Sequence, residues 1–194
     1  MAKLLKVMLR DADHCIGVSH TCRLNMASRY SLDLKQTSTI PNAIDPKNFI
    51  PDPSKRYPLN TINIVHISRL CYRKGSDLLI DIIPAICKKY PNVHWIIGGD
   101  GNKYAIIDKM RKEHKLEDRV EMLGFLRGTT AVRNALVRGH IFLNVSLTES
   151  FCIAILEAAC AGLLVVTTDV GGIPEVLPED MMYPAKPNSD DLIK

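Results

Sequence analysis

The sequence predicts an α/β domain with a parallel sheet that helices cover on both faces. Short, largely apolar segments recur from residue 61 onward, as expected for strands that are buried on both faces. Segments with helical periodicity separate them, and such regular alternation of strands and helices builds a parallel sheet. The predicted fold is therefore a doubly wound, Rossmann-like sheet, in which ligands bind beyond the carboxyl ends of the strands.

The first 60 residues predict a different organisation. Residues 14–19 have the pattern of a short strand and residues 20–30 that of a helix, which together resemble the last β-α unit of another domain. The stretch 38–59 holds five prolines and little periodicity, which is typical of a linker. We therefore predict an N-terminal domain remnant at 1–40, an interdomain linker at 41–60 and a C-terminal domain at 61–194.

Five strand-and-helix units follow one another in the C-terminal domain. The predicted strands are TINIVHIS, VHWIIGG, RVEMLGFL, HIFLNVS and LLVVTTDV. The helix TTAVRNALVRG is expected to open on a threonine cap, and the helix after the fourth strand is expected to end at Gly162. A short helix with Pro174 in its first turn is expected after the fifth strand.

The composition limits the classes of function. Hydrophobic residues make up 46% of the chain, which is enough for an ordinary core, and no apolar run is long enough to span a membrane. The net charge of +4 is mild, and the lysines and arginines are scattered. This pattern favours a site for a phosphorylated ligand over a nucleic-acid surface, which needs clustered basic stripes.

The cysteines indicate packed, reduced thiols and not a metal site. None of the six cysteines forms a C-x-x-C pair, and most lie among apolar residues. A possible cluster at the N-terminal end matches no common zinc spacing, so no metal is expected; it consists of His14, Cys15, His20 and Cys22.

Two cations flank the loop that follows the first strand of the C-terminal domain. Arg69 leaves the strand, and Lys74 precedes Gly75 at the start of the next helix. An arginine grips phosphate oxygens bidentately and a lysine adds a point charge, so the pair can close on one diphosphate. The alternative is two solvated loop charges.

Glycine-rich loops follow the second and third strands. The loop Gly98–Asn102 can let a ligand approach the backbone, although it lacks the dinucleotide fingerprint G-x-G-x-x-G. The stretch Gly124–Gly128 exposes backbone groups that can read the edge of a base. Either stretch can equally be an ordinary turn.

Two carboxylates flank an apolar segment after the fourth strand. Glu149 is expected at the mouth of the helix, where the helix dipole and the backbone N–H groups of residues 150–152 favour an anion. Glu157 lies eight residues further on, about 80° around an ideal helix, so the two share a face only if Glu149 lies outside the helix. The alternative is a cap plus one exposed acid. Cys152 is expected to pack, although a helix-start cysteine can also be a nucleophile.

Taken together, these motifs resemble the retaining glycosyltransferases of the GT-B architecture, in particular the large family-four group. The pattern consists of S-R-L and K-G at 68–75, G-G-D-G at 98–101, E-x(7)-E at 149–157 and T-D-V-G-G-I-P-E-V at 168–176. All four motifs occur in order. The resemblance implies that the chain is mainly the C-terminal, donor-binding half of such an enzyme.

A narrower resemblance is to the catalytic subunits of the transferases that start glycosylphosphatidylinositol (GPI) anchor synthesis. It rests on the segments 8–23, 40–46, 72–79, 140–159 and 171–179. Cys152 also stands where most of the broader group carries glycine. This resemblance implies transfer of N-acetylglucosamine from UDP-GlcNAc to phosphatidylinositol with retention, without a metal or other cofactor.

The resemblance also implies roles for individual residues. Arg69 and Lys74 would bind the donor diphosphate, Glu149 the donor sugar and Glu157 the ribose hydroxyls. The amides of Ser150, Phe151 and Cys152 would contact sugar hydroxyls or phosphate. The backbone of Phe125, Leu126 and Arg127 would contact uracil, with Gly98 beside the ligand.

The resemblance further implies a membrane-bound complex with other subunits, at the cytoplasmic face of the endoplasmic reticulum membrane. Most of the acceptor-binding domain and the membrane anchor of that family are not in this sequence. We therefore expect a fragment that binds donor weakly without turnover. The alternatives are another GT-B transferase with a different sugar or acceptor, and a nucleotide-sugar-binding domain without catalysis.

Overall fold

The computed structural model describes residues 7–9, 11–56 and 60–194, which form two parallel sheets. Parts of the predicted N-terminal remnant and linker, residues 1–6, 10 and 57–59, lie outside the described residues. The smaller sheet pairs β1 (Cys15–Gly17) with β2 (Thr37–Thr39), and α1 (His20–Tyr30) connects them. The strand β2 was not predicted from the sequence, because its three residues are too few to show a period.

The larger sheet has six parallel strands and is doubly wound, as predicted. The strand order is β5-β4-β3-β6-β7-β8, so the chain builds outward from β3 and then returns to the other side of β3. This reversal places a topological switch point between β3 and β6, where sheets of this kind bind ligands. The strands are β3 (Ile62–Ile67), β4 (Val93–Gly98), β5 (Val120–Gly124), β6 (Ile141–Asn144), β7 (Leu164–Thr168) and β8 (Met182–Ala185).

Helices cover both faces of this sheet. On one face α2 (Leu78–Lys89), α3 (Tyr104–Glu113) and α6 (Ser189–Ile193) pack against alternate strand residues, with Trp95 at the centre. On the other face α4 (Gly128–Leu136) and α5 (Ile153–Cys160) pack against residues such as Phe142. The core is therefore split into two layers by the sheet, which explains why the strands are apolar on both faces.

Three local features differ from the sequence-based expectations or refine them. The threonine cap predicted for α4 is wrong, because the helix begins at Gly128 behind Arg127 and has no side-chain cap. The edge strand β8 was missed, since Pro184 and the exposed Tyr183 mask its pattern. The predicted end of α5 at Gly162 is confirmed, because Gly162 adopts a φ of 80° immediately after the last turn.

The proline-rich segment packs across the helices of one face. Phe49 of this segment is buried in the core of that face, and Arg133 of α4 donates from Nη2 to the carbonyl of Ile50 at 2.8 Å. Arg56 donates to the carbonyl of Gly162 at 2.6 Å, after α5.

Among residues 7–9, 11–56 and 60–194, no helix combines the length and apolar character that crossing a bilayer requires.

Candidate functional site

A cavity of about 410 Å³ lies at the carboxyl ends of β3 and β6, at the switch point of the sheet. Its wall combines Ser68, Arg69 and Lys74 after β3 with residues 149–154 after β6. The first 60 residues contribute Val18 and Asn42 to the wall. Of the residues singled out from the sequence, the structure thus brings six to one cavity: Arg69, Lys74, Glu149, Ser150, Phe151 and Cys152.

Lys74 is positioned by close packing of its loop against the chain that follows β6. Gly75 has a φ of 69°, and a Cβ atom there would lie 1.7 Å from the carbonyl oxygen of Val145. The N–H of Leu147 donates to the carbonyl of Arg73 at 3.0 Å. Because these contacts join the two loops, Lys74 lies beside residues that are about 75 positions away in the sequence.

Lys74 and Glu149 form an ion pair inside the cavity. Their side chains are 23% and 12% exposed. The Oγ of Ser146 is 3.0 Å from Oε1 of Glu149 and 2.9 Å from Oδ1 of Asn144, so its single proton serves one acceptor at a time. The sequence around Glu149 holds no basic residue, and its partner Lys74 comes from the loop after β3. The pairing offsets part of the free-energy cost of removing both charges from water.

The chain before α5 offers backbone donors to the cavity. Within the described residues, the N–H groups of Ser150, Phe151 and Cys152 donate to no protein acceptor. The carbonyls of the same loop are held, because Ser19 Oγ donates to Ser150 O at 2.7 Å and Gly172 N donates to Glu149 O at 3.0 Å. This orientation leaves the donors available for an anion or hydroxyl groups.

Arg69 lies exposed at the rim of the same cavity. In the part of the chain that the structure describes, no hydrogen bond or ion pair engages its guanidinium. Arg69 therefore differs from Lys74: both cations face the cavity, but a ligand has no protein partner to displace at Arg69.

Cys152 has the environment of a packing residue. Burial, together with the nearby charge of Glu149, raises the pKa of its thiol to about 12, so the thiol stays protonated near neutral pH. This pKa argues against the nucleophile alternative. Cys152 also has a φ of 81°, a left-handed conformation that favours glycine.

The glycine loops lie beside the cavity and not in its wall. A Cβ atom on Gly98 would lie 2.7 Å from Leu126 Cδ1 and 3.1 Å from Ile67 Cγ1, and Ile67 lines the cavity. The stretch after β5 therefore packs next to the site. Phe125 and Arg127 are exposed there, Phe125 by 71%.

Glu157 lies on α5 and not in the cavity wall. Glu149 precedes the first residue of α5, Ile153, by four positions, so it lies outside the helix as the spacing requires. Burial raises the pKa of the Glu157 carboxyl group. None of the described side chains forms a hydrogen bond or ion pair with it.

A buried histidine behind the site was not predicted from the sequence. The pKa of His66 is lowered to about 4, mainly by burial, so the ring is neutral near pH 7. Since a carbonyl oxygen only accepts, Nδ1–H donates to Leu143 O at 2.9 Å, and Nε2 then accepts from Ser68 Oγ at 2.9 Å. A histidine inside a mostly apolar strand was the available signal.

Glu175 was also missed, although its motif was noted. Its carboxylate accepts the N–H groups of His20 at 2.5 Å and Thr21 at 2.9 Å, at the start of α1. This contact joins the β1–α1 unit to the large sheet.

Across the described ranges, no group of three or more histidine, cysteine, aspartate or glutamate side chains is arranged to hold a metal ion.

The doubly wound fold brings two cations, the carboxylate of Glu149 and free backbone amides together at its switch point. The chain belongs to the glycosyl transferases of group 1, whose family model matches residues 61–193. This membership confirms the predicted glycosyltransferase family.

The narrower resemblance is also confirmed. The chain is 53% identical over 194 residues to a phosphatidylinositol N-acetylglucosaminyltransferase subunit of Arabidopsis thaliana, and 53% identical over 190 residues to the subunit of the same name from Homo sapiens. These matches cover 100% and 98% of this chain. The chain spans 43% and 39% of the lengths of the two relatives.

A solved structure confirms the fold. The Anabaena protein Alr3699/HepE in complex with UDP and glucose matches with a TM-score of 0.85 at 23% identity. The match covers 99% of this chain and 55% of that one. The predicted Rossmann-like half of a GT-B glycosyltransferase is therefore the fold observed.

Proposed function

We propose that the chain is the donor-binding part of a retaining transferase that moves N-acetylglucosamine from UDP-GlcNAc to phosphatidylinositol, the first step of GPI-anchor synthesis. The names of the two relatives that are 53% identical support N-acetylglucosamine as the transferred sugar and phosphatidylinositol as the acceptor. Their designation as subunits supports the presence of partner subunits, and a phosphatidylinositol acceptor supports action at a membrane surface. In this proposal that surface is the cytoplasmic face of the endoplasmic reticulum membrane.

The observation that carries the proposal is the convergence of Arg69, Lys74 and Glu149 on one cavity. In this proposal the two cations bind the diphosphate, Glu149 and the amides of residues 150–152 bind the sugar, and the loop 125–127 meets uracil. Glu157 takes the ribose hydroxyls from its position on α5. UDP in the Anabaena structure supports the choice of nucleotide.

The chemistry that this arrangement favours is a front-face displacement. The bond from the sugar C1 to the departing UDP breaks, the inositol oxygen bonds to C1 on the same face, and its proton passes to the departing phosphate oxygen. Arg69 and Lys74 stabilise the charge that develops on UDP, so no metal is proposed, and neither glutamate acts as a covalent nucleophile.

Calorimetric titration of UDP into the 194-residue chain tests the proposal. Arg69→Ala is expected to weaken UDP binding by at least about tenfold, because a charge-assisted contact is lost. The matched control is Arg73→Ala, which removes an exposed cation that does not line the cavity. If both Arg69→Ala and Lys74→Ala bind UDP with the same heat as the wild type, the assignment of the diphosphate site is contradicted. If GDP binds more tightly than UDP, the choice of a UDP-linked donor is contradicted.

A further inference from the structure

The ion pair between Lys74 and Glu149 occupies two ligand-binding groups at once. We propose that this pair makes Glu149 a specificity-determining residue, which selects the complete nucleotide sugar over free UDP. This inference rests on the proposed function. In this inference a bound diphosphate draws Lys74 away from Glu149, and the hydroxyls of a bound sugar replace the lost partner.

The surroundings of Glu149 show why losing Lys74 is unfavourable. The carboxylate side chain is only 12% exposed, so water solvates it poorly. Among the described residues, its other partners are neutral groups: the hydroxyl of Ser146, whose proton is shared with Asn144, and the thiol of Cys152. A poorly solvated carboxylate that keeps only neutral donors is disfavoured.

Arg69 provides the contrast within the same cavity. Its guanidinium is exposed, and no described residue engages it, so it binds a diphosphate without giving up a protein contact. The free energy that Lys74 contributes to phosphate binding is reduced by the cost of breaking its ion pair with Glu149. Free UDP therefore gains the full contribution of Arg69 but only part of that of Lys74.

A complete nucleotide sugar removes this penalty. Its sugar hydroxyls donate to Glu149 at the moment when Lys74 turns to the phosphates, so both groups keep a partner. After transfer, the sugar has left and only UDP remains. Glu149 then competes again for Lys74, which weakens the hold on the product and favours its release.

The test uses Glu149→Gln, which keeps the shape of the side chain and an acceptor for Ser146 but removes the charge. Titration of UDP and of UDP-GlcNAc into the 194-residue chain is expected to give about tenfold tighter UDP binding in the variant. Binding of UDP-GlcNAc changes much less, because the freed Lys74 offsets the weakened sugar contact. The preference for the nucleotide sugar over UDP therefore falls by about tenfold. Unchanged or weaker UDP binding would overturn the inference.

A double-mutant cycle separates competition for Lys74 from simple repulsion between Glu149 and the diphosphate. In a Lys74→Gln background, Glu149→Gln is expected to give no gain in UDP affinity. The same gain in both backgrounds indicates repulsion alone and overturns the inference. Glu113→Gln is the matched control, since Glu113 pairs with Lys109 on the exposed face of α3 and does not line the cavity.

Two further comparisons complete the test. If Glu149→Gln fails to fold, Lys74→Ala and Arg69→Ala test the same idea, because Lys74→Ala is then expected to lose less UDP affinity than Arg69→Ala. Equal or larger losses at Lys74 would overturn the inference. A wild-type chain that binds neither UDP nor UDP-GlcNAc contradicts the proposed function itself, whereas a chain that binds both and is insensitive to Glu149→Gln contradicts the inference alone.

Discussion

Replacing Glu175 by alanine tests how the N-terminal β-α unit is attached to the sheet. The Glu175 carboxylate accepts the N–H groups of His20 at 2.5 Å and Thr21 at 2.9 Å, across more than 150 positions of sequence. These N–H groups belong to the first turn of α1 and have no partner within the helix. Ser19 caps a third N–H group, that of Cys22, and is unaffected by the substitution.

The size of the effect follows from these contacts. Loss of a helix cap costs about 1 kcal/mol, and loss of a carboxylate near the positive end of a helix costs about 0.3–1 kcal/mol when exposed. Glu175 is exposed and Ser19 remains, so Glu175→Ala is expected to lower the free energy of unfolding by about 1–1.5 kcal/mol. For a chain of this length, the melting temperature should fall by about 2–5 °C.

The pH dependence identifies the carboxylate as the cause. Burial by itself raises the pKa of Glu175, but the backbone N–H groups of Thr21 and His20 outweigh it and lower the pKa below the ordinary 4.5. Because the pKa is lower in the folded state, the stabilisation is present above pH 4.5 and is lost as the pH falls through the folded value. The difference between wild type and variant should therefore shrink below about pH 4.5.

Urea unfolding followed by circular dichroism measures this difference, and hydrogen exchange locates it. The amides of His20 and Thr21 are expected to exchange faster in Glu175→Ala. Glu179→Ala, which removes an exposed acid from the same loop region, is the control. Equal stability of the two variants at pH 7, or unchanged exchange at both amides, would refute the reasoning.

Two further outcomes follow from the site. The pKa of His66 falls from 6.5 to about 4 on folding. The free energy of unfolding of the wild type should therefore fall by up to about 3 kcal/mol as the pH decreases from 6.5 to about 4. If the difference in unfolding free energy between wild type and His66→Gln stays constant over this range, the neutral, buried state of His66 is contradicted. Gly75→Ala should lower the free energy of unfolding by more than about 3 kcal/mol and abolish the heat of UDP binding. The reason is that the Cβ atom of the new alanine would lie 1.7 Å from the carbonyl oxygen of Val145. Gly128→Ala, with a similar φ of 78° and open space around it, should cost only about 1 kcal/mol, and equal losses would refute the steric argument.

How much of the fold was predictable depended on the hydrophobic pattern. The strands β3 to β7 were predictable because each is a largely apolar run of four to six residues. The strand β8 was not predictable, since an edge strand tolerates Pro184 and an exposed Tyr183. The strand β2 has only three residues, and its partner β1 lies more than twenty positions earlier in the sequence, so no local pattern indicates the pairing.

The convergence of three charged residues on one cavity was predictable from the sequence, but their contacts were not. The carboxyl ends of parallel strands meet at one edge of the sheet, so Arg69, Lys74 and Glu149 could be expected to converge. The partner of Glu149 could not be expected, because no local pattern links residues 74 and 149. Glu157 illustrates the other limit, since helical spacing alone did not show that it lies outside the cavity wall.

The sequence by itself determined the α/β class, the order of the strands along the chain and the residue types that follow each strand, because periodicity and turn chemistry are local. Only the tertiary structure decided that β3 lies beside β6, which brings the loop of Lys74 against the chain around Val145. That neighbourhood turns two isolated charges into the Lys74–Glu149 pair. The physical reason is that strand order and loop packing are set by burial of the whole sheet, which no short stretch of sequence records.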